Sequence, residues 1–160
     1  VRYGRTDACL PGRNAGIDAI INKKLEQCKK LGIETDIKII IPENINIEPT
    51  DMAALAGNLF DNSIRAVKEL DEVERRITVE AKYNKDIFYI KFSNRFEGRL
   101  IEDDKGELLT TRQDDKNHGI GLLSVKRIAE KYDGDVRIKS ENNCFEIIVM
   151  LYPESINTGF

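Results

Sequence analysis

The sequence predicts an α/β fold of the α+β kind, a two-layer sandwich in which amphipathic helices cover one face of a mixed, mainly antiparallel sheet. The first observation is the order of the periodic segments: helix, strand, helix, two strands, a long polar segment, helix and two strands. The second is that most strands follow one another across short turns, as in hairpins. The third is size, because 160 residues with 41% hydrophobic content suit one domain with one core.

The chain begins with a lead-in, a helix and a strand. Residues 1–13 show no periodicity, and we expect them to lead into a domain that spans 14–152. Apolar residues recur at helical spacing over 14–31, and Gly32 follows where the helix should end. The β-branched residues over 35–41 indicate a strand.

A central helix is predicted over residues 51–70, opened by Pro49. Its buried stripe consists of apolar residues at three- and four-residue spacings, namely Met52, Leu55, Ala56, Leu59, Ile64 and Val67. Asn58, Asn62 and Arg65 share a second face, because residues three or four apart stack on a helix. Amide oxygens can ligate Mg²⁺ and a guanidinium can bind phosphate. A polar face of this kind is also typical of a helix that is simply solvated.

Two strand pairs flank a long polar segment. Alternating and β-branched residues predict one hairpin over 76–83 and 87–93, and a second over 136–140 and 145–151. Residues 95–118 are polar and charged, without periodicity. A structureless segment of this length inside a compact domain is usually functional, so we interpret it as a lid.

The residues Gly119-Ile120-Gly121 stand where the polar segment gives way to a helix. Helical spacing returns after Gly119 and continues to Tyr132. The free amides at a helix start bind phosphate, and glycine allows a phosphate to approach the backbone. The same tripeptide is also common in ordinary turns. Residues 153–160 are expected to form a C-terminal tail.

Composition excludes several classes of protein. The net charge is -3 and the charges are mixed along the chain, so we expect no nucleic-acid partner. The three cysteines, Cys9, Cys28 and Cys144, are odd in number and far apart, which favours reduced thiols in the cytoplasm. The sequence shows no apolar run long enough for a membrane span and no signal peptide.

Residues 57–66 (GNLFDNSIRA) and 117–126 (NHGIGLLSVK) carry a resemblance. They resemble the asparagine box and the second glycine box of the GHKL-type ATP-binding domain, which sensor histidine kinases share with type II topoisomerases, mismatch-repair ATPases and ninety-kilodalton heat-shock chaperones. Over roughly 12–152 the chain is most similar to the catalytic domains of peptide-pheromone, quorum-sensing sensor kinases. The resemblance implies a Bergerat-type fold with ATP and Mg²⁺ as cofactors.

The resemblance also implies roles for individual residues. Asn62 would be the Mg²⁺ ligand, Asn58 would lie beside the phosphates, and Arg65 would contact a phosphate; these three are the expected catalytic residues. The expected nucleotide site comprises Asn58, Asn62, Arg65, Asn94, Thr110, Thr111, Arg112, His118, Gly119, Gly121 and Leu122.

The sequence departs from the family pattern in two places. The first glycine box, whose aspartate binds the adenine amino group in most members, is absent, because the strand ends as Ser93-Asn94-Arg95. Asn94 is the expected substitute, since its amide oxygen can accept a hydrogen bond from that amino group. Phe145-Glu146 stands where many members place a threonine near the adenine.

The resemblance implies a protein-histidine kinase catalytic domain that delivers the γ-phosphoryl group of ATP to a histidine on a separate phosphoacceptor domain. His118 is the only histidine and adjoins the glycine turn, so we interpret it as a lid residue and expect no autophosphorylation by this domain alone. The expected partners are the phosphoacceptor domain and, indirectly, a response regulator. The whole protein would be a membrane-anchored homodimer with this portion in the cytoplasm.

Two other functions remain open at this point. The first is an ATPase of the topoisomerase or mismatch-repair kind, in which a glutamate one turn before the metal-binding asparagine activates water. That position is Asn58 here, and an amide cannot take a proton from water. The second is a nucleotide-binding or interaction module without catalysis.

Overall fold

The computed structural model describes residues 2–3, 15–97, 100–102, 108–110 and 115–154, and it describes side chains over 17–97 and 121–154. The helices are α1 (Ala15–Lys30), α2 (Pro49–Val67) and α3 (Asp115–Lys131), with a short 3₁₀ helix at Glu72–Glu74. The strands are β1 (Arg2–Tyr3), β2 (Glu34–Ile40), β3 (Arg76–Asn84), β4 (Ile87–Arg95), β5 (Leu100–Glu102), β6 (Leu108–Thr110), β7 (Asp135–Glu141) and β8 (Cys144–Leu151).

Six strands form the main sheet in the order β1-β2-β3-β4-β8-β7, and β5 pairs with β6 in a separate hairpin. Only the β2–β3 pair of the main sheet is parallel, and α2 lies between these two strands in the chain. The other pairs of that sheet are antiparallel. The prediction of helices layered on a mixed, mainly antiparallel sheet is therefore confirmed.

Both long hairpins close with two residues in the left-handed region. Lys85 and Asp86 have φ values of 50° and 63° between β3 and β4, and Asn142 and Asn143 have φ values of 52° and 59° between β7 and β8. A positive φ at both central positions matches the twist of the flanking strands, which is why such turns dominate two-residue hairpins. The turn chemistry of the sequence therefore sets the register of both strand pairs.

The core lies between the helices and one face of the sheet. Alternate residues of β4 and β8 are buried toward the helices, and they are Phe88, Ile90, Phe92 and Asn94 on β4 and Phe145, Ile147, Val149 and Leu151 on β8. α2 packs over β4, where the rings of Phe60 and Phe92 meet edge to face with centroids 4.8 Å apart. All six apolar residues expected in the stripe of α2 are buried.

α2 and α3 run in opposite directions, joined by a polar contact at one end. The Tyr132 hydroxyl, just after α3, donates to the Asp51 carboxylate in the first turn of α2 (2.6 Å). The same hydroxyl accepts a hydrogen bond from the backbone N–H of Glu48 (2.9 Å), and Lys131 donates to Asp51 from the surface (2.7 Å). We call Asp51, Lys131 and Tyr132 the α2–α3 latch, because it fixes the register of the two helices.

Part of the expected lid has regular structure, so the prediction that residues 95–118 are structureless was wrong there. β4 continues to Arg95, and β5 and β6 form an antiparallel hairpin within this segment. Strands of three residues are too short for alternation to be recognised in a sequence. Residues 98–99, 103–107 and 111–114 lie outside the described residues.

The two ends of the domain also differ from expectation. Arg2 and Tyr3, expected to be an irregular lead-in, pair with the outer edge of β2. Pro153 was expected to begin a loose tail, but it is buried and its carbonyl accepts a hydrogen bond from the Asn46 side chain (3.2 Å). Among the described residues, the helices are too short or too polar to cross a bilayer.

Candidate functional site

One face of α2 belongs to the contact with α1. A methyl group built on Gly57 would lie 3.7 Å from the Ile20 side chain, so the two helices lie close together there. One turn later Asp61 forms an ion pair with Lys24 of α1, with 2.5 Å between Nζ and Oδ1. The carboxylate of Asp61 is thereby neutralised by α1 and does not belong to the asparagine face.

The asparagine face of α2 is turned toward α3. The amide oxygen of Asn58 lies 3.5 Å from where a Cβ on Gly121 would stand. Asn62 and Arg65 are half-buried and follow Asn58 on the same face. Because α2 and α3 are antiparallel, the first turns of α3 lie alongside Asn62 and Arg65. The fold therefore brings together two motifs that are about sixty residues apart in the sequence.

The glycine pair lies inside α3, so the expectation that the helix starts at Gly119 was wrong. α3 begins at Asp115, and both Gly119 and Gly121 fall within its first two turns. The free amides and the positive end of the helix dipole consequently lie one turn earlier, at Asp115 and the residues just after it. Glycine is tolerated within a helix at a modest cost, which explains why its presence did not mark the boundary.

Some of the remaining candidates from the expected lid lie within the described residues and others lie outside them. His118 lies in α3 and Thr110 in β6, where the structure describes the backbone only. Thr111 and Arg112 lie outside the described residues. Leu122 is half-buried and packs against the hydrophobic core from α3.

Asn94 is at the end of β4 and faces the helices. It is 3% exposed, and its Nδ2 donates to the carbonyl of Arg95 (2.8 Å). Its Oδ1 is buried and has no hydrogen-bond partner among the described residues. In the sheet register Asn94 lies opposite Ile77 on β3 and Phe145 on β8, so apolar residues flank it on both neighbouring strands.

The family of this chain is shown by its similarity to known proteins. The model of the GHKL domain matches residues 47–152, from the start of α2 to the end of β8. The chain belongs to the GHKL family. A probable C4-dicarboxylate sensor kinase of Halalkalibacterium halodurans is 25% identical over 139 residues, which are 81% of this chain and 25% of that protein. The GHKL domain thus spans about a quarter of the length of that curated relative.

Solved histidine kinases share the fold of this GHKL domain. The catalytic domain of ThkA aligns with a TM-score of 0.63 and 18% identity, covering 95% of this chain and 99% of that one. The histidine kinase AdeS of Acinetobacter baumannii aligns with a TM-score of 0.62 and 12% identity, covering 86% of this chain and 63% of that one. The resemblance to a histidine kinase catalytic domain is therefore confirmed at the level of the GHKL domain and its fold.

The residues of this GHKL domain fit ATP and Mg²⁺. The free Oδ1 of Asn94 is an acceptor of the kind an adenine amino group needs. Gly121 has no side chain to cover the amide oxygen of Asn58, and the guanidinium of Arg65 makes no hydrogen bond or ion pair within the described part of the chain. No group of three or more His, Cys, Asp and Glu side chains that could hold a metal occurs among the described residues. A cation here would depend on amide oxygens and on the nucleotide's own phosphates, as Mg²⁺ does in phosphoryl-transfer sites.

Sequence reasoning missed one polar residue of the GHKL domain. Ser63 is fully buried on α2, and its Oγ has no hydrogen-bond partner among the described residues. The signal was available, because Ser63 interrupts an otherwise apolar stripe between Phe60 and Val67. A hydroxyl in such a stripe either bonds a neighbour or marks a polar site.

Proposed function

We propose that this GHKL domain is the ATP-binding catalytic domain of a two-component sensor histidine kinase. It delivers the γ-phosphoryl group of ATP to a histidine on a separate phosphoacceptor domain, from which a response regulator is phosphorylated. The observation that carries the proposal is the approach of Asn58 to Gly121, because the amide oxygen of Asn58 lies 3.5 Å from where a Cβ on Gly121 would stand. This approach brings the asparagine face of α2 beside the first turns of α3. The similarity to a sensor kinase supports the choice among GHKL functions.

At the phosphate end the chain supplies position and charge. Bound Mg-ATP supplies an activated phosphoryl group whose negative charge the cation partly neutralises. Asn62 would hold the cation through its amide oxygen, and Arg65 would donate to a phosphate oxygen. The first-turn amides of α3 face the same region with the positive end of the helix dipole. Positioning and charge neutralisation supply most of the catalysis in phosphoryl transfer, so no nucleophile from this domain is needed.

Asn58 explains why this domain transfers rather than hydrolyses. A carboxylate at this position would activate water, whereas an amide has no basic oxygen of that kind. The base that accepts a proton from the attacking histidine can then come from the phosphoacceptor domain. Water would compete with that histidine for the phosphoryl group. With an amide at position 58, hydrolysis of the bound nucleotide is slow while the acceptor histidine is absent.

The kinase subgroup and the organisation of the whole protein are inferred from the sequence resemblance. We infer a member of the quorum-sensing, peptide-pheromone subgroup, and a whole protein that is a membrane-anchored homodimer with this domain in the cytoplasm. The absent first glycine box and Asn94, the last residue but one of β4, support the subgroup.

Calorimetric titration with ATP, with and without Mg²⁺, tests the proposal. Asn62→Ala should weaken Mg-ATP binding by about 10- to 100-fold, in line with the loss of a charge-assisted contact. Asn84→Ala is the matched control, because Asn84 is exposed at the opposite end of the β3–β4 hairpin from Asn94. Equal affinity of wild type and Asn62→Ala would contradict the metal assignment, and a wild type that binds no nucleotide would leave only an interaction module.

A further inference from the structure

Lys24 of α1 and Asp61 of α2 form an ion pair at the border of the asparagine face, with 2.5 Å between Nζ and Oδ1. The side chain of Lys24 is 12% exposed, whereas that of Asp61 is 48% exposed. An ammonium group so far removed from water needs an anionic partner, because a buried charge without one is costly. The lysine therefore requires the pair more than the aspartate does, since the carboxylate could remain in water.

The helix that carries Lys24 offers it no carboxylate. The residues three and four positions from Lys24 along α1 are all without a carboxyl group, and they are Ile20, Ile21, Gln27 and Cys28. Burial raises the pKa of the Cys28 thiol to about 11, although the nearby Lys24 ammonium acts to lower it, so this thiol is neutral at physiological pH. Lys24 consequently depends on the Asp61 carboxylate across the contact between α1 and α2.

Arg65 lies one turn after Asp61 on α2. Residues four apart on a helix have Cβ atoms about 5–6 Å from each other, and an acidic residue that precedes a basic one by four positions is in the favourable order for an ion pair. The half-buried Arg65 nevertheless makes no ion pair or hydrogen bond with its guanidinium within the described residues. Glu69, four residues after Arg65, lies beyond the end of α2 at Val67. The carboxylate of α2 that stands one turn from Arg65 is thus already held by Lys24.

Two cations can therefore reach one carboxylate, and the structure pairs that carboxylate with the lysine of the other helix. We propose that Lys24 is a positioning residue of the nucleotide site: by holding the Asp61 carboxylate, it leaves the Arg65 guanidinium available to a phosphate group. This inference rests on the proposed function, in which Arg65 would donate to a phosphate oxygen. It adds to that function a residue of α1 that lies outside both sequence motifs.

Without Lys24, the Asp61 carboxylate would oppose nucleotide binding in two ways. It would accept hydrogen bonds from Arg65 across one helical turn, which takes a donor away from the phosphates. It would also leave an uncompensated negative charge beside the face that receives the phosphates, and like charges repel. Both effects lower the affinity for Mg-ATP, and neither needs a change of fold.

The test is a double-mutant cycle on Lys24 and Asp61, with Mg-ATP affinity measured by calorimetry. Lys24→Met keeps the length of the buried side chain, and it should weaken Mg-ATP binding by about 10-fold. Asp61→Asn should keep the affinity within about twofold of wild type, because no carboxylate remains to draw on Arg65. The double variant, Lys24→Met with Asp61→Asn, should return to within about twofold of wild type although both original charges are gone.

Lys23→Met is the matched control. Lys23 is an exposed lysine next to Lys24, and it makes no ion pair or hydrogen bond within the part of the chain that the structure describes. The control removes the same charge from the same helix and should leave the affinity within about twofold, since an exposed charge is screened by salt.

Urea titration separates this role from a purely structural one. Lys24→Met should unfold near the wild-type midpoint, because an apolar side chain replaces a nearly buried one and Asp61 can stay in water. Asp61→Asn leaves the ammonium of Lys24 without its counter-ion and should unfold at lower urea. Affinity and stability are thus expected to fall in different variants, whereas an ion pair that serves only the fold would lower stability in both and affinity in neither.

The remaining outcomes distinguish this inference from the proposed function. Wild-type affinity in Lys24→Met would overturn the inference and leave the proposed function intact. Weak binding that persists in the double variant would also overturn it, because Lys24 would then act on the nucleotide without Asp61. Lys24→Leu takes the place of Lys24→Met if the latter does not fold, with the same outcomes. A wild-type domain that binds no nucleotide would overturn both the inference and the proposed function.

Discussion

Replacing Tyr132 by phenylalanine should cost about 2–3 kcal/mol of the free energy of unfolding. The ring is 1% exposed and would stay in place, so only the hydroxyl is lost. That hydroxyl donates to the ionised Asp51 carboxylate at 2.6 Å, and a hydrogen bond to a charged group is worth about 1.5–3 kcal/mol. The backbone N–H of Glu48, bonded to it at 2.9 Å, loses its acceptor as well.

Lys131→Met is the matched control for the α2–α3 latch. Lys131 donates to the same Asp51 oxygen, but its side chain is 46% exposed, so the ion pair is screened by water. We expect this variant to lose no more than about 1 kcal/mol. Urea titrations of the two variants should share the slope of wild type and differ in midpoint. A loss in Tyr132→Phe no larger than that in Lys131→Met would refute the assignment of the latch energy to the buried hydroxyl.

The latch also predicts a pH dependence. Burial acts to raise the pKa of the Asp51 carboxyl, but the hydrogen bonds from Lys131 and Tyr132 outweigh burial and hold that pKa below its usual value. A folded-state pKa below the unfolded one stabilises the protein above the unfolded pKa, about 3.9, and this stabilisation is lost as the pH falls through the folded pKa. The difference between wild type and Tyr132→Phe should therefore be constant near neutral pH and shrink at acidic pH.

Three further predictions concern glycines and the candidate site. Gly134→Ala should destabilise the domain strongly, by at least about 2 kcal/mol in urea, because an added Cβ would lie 2.1 Å from the backbone carbonyl oxygen of Met150; an unchanged midpoint would contradict this packing. Gly121→Ala should keep or raise the stability of the domain, since the added methyl group would meet only Asn58 Oδ1, at an ordinary distance of 3.5 Å. The same methyl group should weaken Mg-ATP binding by covering that oxygen. If calorimetry gives this variant the affinity of wild type, the Asn58 oxygen does not belong to the site. The unmodified domain should hydrolyse ATP very slowly. Asn58→Glu should raise the steady-state rate of hydrolysis by up to about 10²-fold, whereas Asn58→Gln should not raise it. Hydrolysis of several ATP molecules per second by wild type would favour an ATPase.

The sequence by itself determined the local structure of this domain. Helical and strand periodicity are properties of neighbouring residues, so α2, the long hairpins and their buried stripes could be predicted to within a few residues. The two motifs could be recognised for the same reason, because each is a short contiguous segment. Boundaries failed where a residue type is ambiguous: the glycines of α3 indicated a helix start and are instead inside the helix that begins at Asp115.

Only the tertiary structure decided which of these residues meet. The approach of Asn58 to Gly121 depends on the antiparallel packing of α2 and α3, which the α2–α3 latch at Tyr132 fixes at the opposite end of the two helices. Ser63 and Asn94 are both buried because α2 packs over β4, where Phe60 meets Phe92. Such contacts join positions tens of residues apart, and no periodicity within one segment records them. The presence of two buried polar atoms without a hydrogen-bond partner among the described residues is therefore a property of the packed fold.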